Sequence, residues 1–227
     1  MTQQLGFDLT RRPALGRGDF FVSPANATAV ATVEAWQSWP SGKLALVGPA
    51  ASGKTHLAHV WAALTDATIL PAAELAAADI PTLAKTPIAI EDADTIAGDR
   101  AAEEALFHLH NLALAEGRPM LITATLPPSR WNLTLPDLAS RMQATATTEL
   151  QPPDDPLLTA VLLKQLDERQ LEIDPDTVTY ALTRMERRFS AAQRLAEALN
   201  REAFARRRRV TKPLIREVLD KLDTERP

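Results

Sequence analysis

The sequence of 227 residues contains no cysteine. Disulfides and thiolate-held zinc or iron–sulfur sites are therefore excluded, and the absence fits a reducing compartment. No run approaches the roughly eighteen consecutive apolar residues of a spanning helix, so no membrane segment is expected. The stretch from Met1 to Arg12 is mixed polar and charged and lacks the apolar core of a secretory signal. An excess of one charge is also missing. Lys and Arg number 25 against 29 Asp and Glu, for a net charge of −4, which speaks against a protein that coats DNA. No repeat recurs at a fixed period. The histidines offer no ligand set: His56 and His59 have no third nitrogen or sulfur ligand nearby, and His108 and His110 cannot share one helix face. A cytoplasmic setting is expected.

What is present is the composition of a folded chain, 45% hydrophobic and 24% charged. Short apolar runs at Lys43–Val47, Ala67–Leu70, Ile88–Ile90, Met120–Ala124 and Thr145–Leu150 read as strands. Helical patterns lie between them at Gly53–Leu64, Ala72–Ala78, Arg100–Glu116 and Pro136–Gln143. An earlier helix is expected over Asn26–Trp39, opened by Ser23-Pro24. Such alternation implies a five-stranded parallel sheet covered on both faces. Beyond Leu150 the turn-rich Gln151-Pro152-Pro153-Asp154-Asp155-Pro156 marks a boundary. Helices alone follow, at Pro156–Arg169, Pro175–Met185, Ser190–Arg207 and Pro213–Leu222. The expected organisation is an N-terminal tail over 1–19, an α/β domain over 20–150 and a small all-helical domain over 151–227. Charge shifts at the same boundary, with 10 basic against 15 acidic residues before Gln151 and 15 against 14 from there on. The run Arg206–Arg209 reads as a solvated helix end, since four consecutive residues point around a whole helix.

Gly48-Pro49-Ala50-Ala51-Ser52-Gly53-Lys54-Thr55 fits G-x-x-x-x-G-K-[ST], follows an apolar strand and opens a helix. Backbone N–H groups in such a loop curl around a phosphate that also meets the positive helix end. Lys54 would neutralise β- and γ-phosphate oxygens, and Thr55 would hold Mg²⁺. An acidic strand end beside this loop is expected from Ile88-Ala89-Ile90-Glu91-Asp92-Ala93-Asp94. There Glu91 would hold the metal and Asp92 would orient an attacking water. Glu91 stands where an aspartate is usual, and its longer side chain predicts slow hydrolysis at this site. The pattern calls for ADP or ATP with Mg²⁺.

From Gly53-Lys54-Thr55-His56-Leu57 onward the sequence resembles the DnaA branch of the AAA+ ATPases over nearly its whole length. Phe20-Phe21-Val22-Ser23-Pro24-Ala25-Asn26 resembles the segment lining the adenine, which implies roles for Phe21 and Val22, as the loop does for His56. Leu135-Pro136-Asp137-Leu138-Ala139-Ser140-Arg141 resembles the box carrying the arginine finger, which puts Arg141 in that role. Leu121-Ile122-Thr123-Ala124-Thr125 matches the strand of sensor 1, with Thr123 and Thr125 both suited. For sensor 2 in the lid, Arg188 and Arg194 are the candidates, while alignment on Ala198-Leu199-Asn200 puts Gln193 at the family's arginine. A chain ending at Pro227 after a fourth lid helix, with about 19 residues before Phe20, resembles the Hda family of DnaA regulators. These promote hydrolysis of DnaA-bound ATP together with the sliding clamp of the replicative polymerase, and limit initiation to once per cycle. Gln4-Leu5-Gly6-Phe7-Asp8-Leu9 resembles their clamp-binding peptide. An extended peptide alternates sides, so Leu5, Phe7 and Leu9 can enter one apolar groove while the Gln4 amide bonds its edge.

The resemblance implies a nucleotide-bound negative regulator that docks on the clamp and inserts Arg141 into the ATP site of DnaA. It leaves room for a homo-oligomer, and it implies no sequence-specific DNA binding and no membrane. Two other readings stay open: a helicase-loader type ATPase with turnover at its own site, and a non-catalytic scaffold on the clamp. Phe7→Ala, or deletion of residues 4–9, is expected to abolish co-elution with the clamp without unfolding the domain, because losing a central anchor costs about 2 kcal/mol or more. A deleted protein that still co-elutes would put the clamp surface elsewhere.

Overall fold

The structure, a computed structural model, describes residues 21–206 and 209–224. The tail 1–19 with Gln4, Leu5, Phe7 and Leu9, and Arg207 and Arg208 of the basic run, lie outside the described residues. Among these residues five strands form one parallel sheet: β1 (Lys43–Val47), β2 (Thr68–Pro71), β3 (Ile88–Glu91), β4 (Met120–Ala124) and β5 (Ala146–Glu149). Their spatial order is β2-β3-β4-β1-β5. Side chains alternate between two cores, as strand geometry requires. Val47, Ile88, Ile90, Met120, Ile122 and Ala124 pack on one face with Leu106, Leu109 and Leu138. Leu44, Leu46, Ala89 and Leu121 pack on the other with Leu57, Val60 and Trp61. The helices beneath the first face are α4 (Arg100–Ala115) and α5 (Pro136–Gln143); α1 (Ala27–Glu34) and α2 (Lys54–Thr65) cover the second.

Beyond the sheet, α6 (Asp155–Asp167), α7 (Pro175–Leu182), α8 (Phe189–Arg206) and α9 (Lys212–Thr224) build a separate core from Leu158, Leu162, Leu166, Val178, Leu195, Leu199 and Ile215. Asp154 and Asp174 cap α6 and α7 by accepting from Leu157 N–H and Thr177 N–H. Arg209 pairs with Glu172 at 3.1 Å, with both side chains more than four-fifths exposed, so the pair adds little stability. Among the described residues no helix is long and apolar enough to cross a membrane.

Several boundaries differ from expectation. The first helix starts at Ala27, one residue after the expected Asn26, and Ser23-Pro24 does not open it, because the Asn26 amide accepts from Ser23 N–H and donates to the Phe21 carbonyl, holding residues 23–26 in a turn. It stops at Glu34 instead of reaching Trp39. Pro40 forces Trp39 into an extended conformation, and the Trp39 indole donates to the Thr32 carbonyl and stacks on Trp61. The stretch expected as a helix over Ala72–Ala78 is a 3₁₀ turn, Ala72–Ala77. Asp79 then caps a short helix, α3 (Ile80–Leu83), which the sequence pattern missed. The helix expected over Ser190–Arg207 is α8, which starts at Phe189. The Arg188 carbonyl accepts from Ala191 and Ala192 N–H, which puts Phe189 in the first turn and Ser190 inside the helix.

Glu103 in α4 is fully buried. Its carboxylate accepts from Gly98 N–H at 2.9 Å, Thr134 N–H at 2.9 Å and Leu135 N–H at 2.7 Å, and from the Thr134 hydroxyl at 2.9 Å. Burial alone would raise its pKa, but the bonds from Thr134, Gly98 and Leu135 prevail and hold it below its ordinary value. A carboxylate with a depressed folded-state pKa stabilises fully above its unfolded pKa, and that stabilisation is lost as pH falls through the folded value. Glu103→Gln is expected to lower stability by about 2 kcal/mol at neutral pH, with the deficit narrowing below about pH 4. Urea melts at both pH values check this; a deficit unchanged by pH would mean that the charge is not what matters.

Candidate nucleotide site and arginine face

β1 runs straight into the loop Gly48–Gly53, and Lys54 begins α2 with Gly53 at its N-cap. Two features make the loop specific to small residues. Ala51 and Gly53 both have left-handed backbones, at φ 58° and 98°, a conformation that a non-glycine residue adopts at a cost of about 1 kcal/mol. At Gly48 a Cβ would stand 2.7 Å from the Leu150 carbonyl and 2.8 Å from Ser52 Oγ, so any side chain there displaces the loop. Pro49, Ala50, Ala51 and Thr55 are exposed on the loop surface, and His56 is half-buried in the first turn of α2. Lys54 is buried, and its ammonium donates to the Gly48 carbonyl at 2.8 Å and the Pro49 carbonyl at 3.0 Å. Burial lowers its pKa, while the charges of Asp92 and Asp94 work in the opposite direction.

The acidic strand is not the direct neighbour of β1. β4 lies between them, so Glu91 and Asp92 stand one strand further from the loop than the sequence reading expected. The intervening strand makes the link. Thr123 on β4 is fully buried, and its hydroxyl accepts from Asp92 N–H at 3.0 Å. Thr125, just past the strand, is exposed, and its N–H donates to Asp94 Oδ2 at 3.0 Å, as does Leu126 N–H at 3.1 Å. Of the two sensor 1 candidates, Thr123 is thus engaged with the acidic turn and Thr125 stands at the open edge. Asp94 was not among the expected site residues; the alternating acids of Glu91-Asp92-Ala93-Asp94 were the signal for it.

Ser52 Oγ, Glu91 Oε1 and Asp94 Oδ1 are buried without a hydrogen-bond partner among the described residues. Buried polar atoms are normally satisfied, and a phosphate with its cation would satisfy these. Thr55 and Glu91 are the residues that could hold Mg²⁺, an ion that takes few protein ligands and completes its shell with phosphate and water oxygens. At the same edge of the sheet, Phe21 and Val22 are 38% and 51% exposed, apolar surface of the kind a nucleobase covers.

The lid meets the loop through Phe189, whose ring would lie 3.2 Å from a Cβ placed on Gly53. Nothing in the sequence pattern singled out this aromatic. Arg188 precedes it in the chain and is exposed. Arg194 pairs with Glu186 at 3.8 Å and lines a small cavity with Met185, Leu219 and Leu222. It lies about 140° around the helix from Phe189, whereas Gln193 lies within about 40°. On α8, Gln193 therefore shares the Phe189 side, which meets the loop, and Arg194 lies on the side of the cavity lined by Leu219 and Leu222 of α9.

Arg141 lies far from this site. It is exposed on α5, with its guanidinium 5.2 Å from the Phe107 ring centroid. Its carbonyl accepts from Lys43 Nζ at 2.8 Å. Lys43 begins β1 and Gly48 follows its end, a separation of about 16 Å along the strand. The arginine main chain and the phosphate loop therefore stand at opposite ends of one strand.

Residues 155–219 match the family model described as Hda, lid domain. The fold is similar to domain III of the replication initiation protein DnaA from Thermotoga maritima, at 17% identity and TM-score 0.78, covering 92% of this chain and 97% of that one. It is also similar to AMPPCP-bound DnaA from Aquifex aeolicus, at 15% identity and TM-score 0.72, over 86% of this chain and 67% of that one. RuvB from Thermotoga maritima shares the architecture at 18% identity and TM-score 0.65, over 86% and 66%. At these identities the likeness to solved structures is one of fold. Lys54→Ala keeps the glycine backbone and removes the loop's cation, so ADP is expected to bind at least about tenfold more weakly, or about 1.4 kcal/mol. Calorimetry that finds equal affinity would overturn this assignment of the phosphate loop.

Proposed function

We propose that this DnaA-related AAA+ protein with an Hda-type lid is a negative regulator of replication initiation. It holds ADP or ATP with Mg²⁺ at its own loop, docks on the sliding clamp and accelerates hydrolysis of ATP bound to DnaA. The observation that carries the reading is the separation of the two functional ends of β1. Arg141 is exposed and its main chain is held at the amino end of β1, about 16 Å along the strand from the end that carries the loop, which gives the guanidinium no route to its own γ-phosphate and leaves it to enter a neighbour's.

In that neighbour's site the guanidinium bonds two γ-phosphate oxygens at once and stabilises the charge that develops as the terminal phosphate leaves. Such fingers accelerate hydrolysis by roughly 10³–10⁵ in GTPase systems. At the protein's own site, Lys54 neutralises phosphate charge, Thr55 and Glu91 hold the cation, and Asp92 orients water. Glu91 in place of an aspartate keeps turnover there slow. The nucleotide then serves to order the loop and the lid against it, and the N-terminal peptide supplies the clamp contact.

The test is hydrolysis of DnaA-bound ATP with and without this protein, the clamp and DNA. Arg141→Ala is expected to keep its fold, its ADP and its clamp binding, yet to lose stimulation by at least about a hundredfold. Full stimulation by that variant would remove Arg141 from the role. Turnover of free ATP by this protein alone, at a rate matching the stimulated one, would favour an ATPase in its own right.

A further inference from the structure

One face of α4 holds the arginine-bearing helix at three points. Glu103, Phe107 and His110 are spaced four and three residues apart, so they line one side of the helix. Glu103 accepts from Thr134 and Leu135 N–H just before α5 begins. The Phe107 ring lies against the Arg141 guanidinium. His110 Nε2 is 3.0 Å from Lys43 Nζ, which also donates to the Arg141 carbonyl at 2.8 Å.

The third point is the unusual one. Lys43 is 5% exposed and His110 3%. An ammonium always donates, so His110 Nε2 must accept, and the ring proton sits on Nδ1, facing Asn111 Oδ1 at 3.2 Å. Burial and the charge of Lys43 both favour this neutral ring. The Arg141 carbonyl needs such a donor. In a regular helix Thr145 N–H would reach it, but that N–H goes to the Met142 carbonyl at 2.9 Å instead. Arg141 O is left to Lys43 Nζ and to the Thr145 hydroxyl at 3.0 Å. A leucine or methionine in place of Lys43 would suit this apolar strand with no buried charge to hold. The charge is therefore unexplained by packing.

We propose that Lys43 and His110 are positioning residues for Arg141, fixing its main chain so that the guanidinium enters a partner's nucleotide site at one height. This rests on the reading of Arg141 as a finger acting in trans. Catalysis by a fixed charge is sensitive to placement, and a displacement of about 1 Å can cost on the order of a hundredfold.

The experiment measures stimulated hydrolysis of DnaA-bound ATP as a function of this protein's concentration, with ADP binding and a thermal melt alongside. Lys43→Met keeps the stem and removes the donor. It is expected to lower the maximal rate at least about tenfold, with ADP affinity and half-saturating concentration unchanged, and to cause no further loss in an Arg141→Ala background. His110→Leu should behave alike, while His110→Gln, whose amide oxygen can stand in for Nε2, should recover the rate. A raised half-saturating concentration at an unchanged maximal rate would assign Lys43 to docking and overturn the proposal. If Arg141→Ala is inactive but Lys43→Met is not impaired, the clamp on the carbonyl fails alone. If Arg141→Ala retains full stimulation, the finger and its clamp fall together. Should Lys43→Met melt early, the contrast between His110→Leu and His110→Gln decides, and equal rates for those two would overturn the proposal.

Discussion

β1 is hydrogen-bonded on both edges, to β4 in register from Lys43–Met120 to Val47–Ala124 and to β5 from Leu44–Ala146 to Val47–Glu149. All five of its residues are buried. A strand held in this way can neither slip nor tilt without breaking two ladders. Its carboxyl end becomes the phosphate loop, and its amino end carries the lysine that holds Arg141. Each end faces different chemistry, and the strand keeps them a fixed distance apart. The rest of the α/β domain supports that rod: α1 and α2 seal one face, and α4 and α5 seal the other.

The buried charges share one solution. Lys54 is held by the carbonyls of Gly48 and Pro49, Lys43 by the carbonyl of Arg141, and Glu103 by the N–H groups of Gly98, Thr134 and Leu135. In each case main-chain dipoles, more than an opposite side-chain charge, satisfy the ion. A side chain paired with another side chain can move with its partner. One bonded to the main chain fixes the course of a loop. The three ions therefore act on backbone geometry, at the phosphate loop, at the start of α5 and at its end. Desolvation of each charge is offset only while the loop keeps its shape, so loss of shape and loss of the bonds occur together.

The frame of the candidate phosphate loop, a strand, Gly48–Gly53 and a helix opened by Lys54, was legible in the sequence because its requirements are local: glycines at fixed offsets, a lysine, and a strand and a helix on either side. The strands Lys43–Val47 and Met120–Ala124 and the helix Pro136–Gln143 were legible for a related reason, since apolar period and a leading proline are read within a few residues. What escaped depends on distant partners. Strand order cannot be read from strand content, so β4 was not placed between the loop and Glu91. Ser190 reads as the start of a helix, and the contacts of Phe189 with the lid core and Gly53 come from residues far away in sequence. Lys43 reads only as the first residue of a strand, and the fold brings His110 and Arg141 to it. Gln193 and Arg194 divide for the same reason, because one residue of phase on α8 turns Arg194 away from the side of Phe189.

Phe189 adds the last constraint on the site. Gly53 has a left-handed backbone at φ 98°, and its missing side chain is the space against which the Phe189 ring packs. The glycine is thus required twice, once by the left-handed backbone turn and once by contact with the lid. Phe189 belongs to the lid core with Val178, Leu195 and Leu199, so the ring cannot shift alone. One ring is thus packed on two sides, against Gly53 of the loop and against the core of the lid, and a side chain at Gly53 would have to displace it from both.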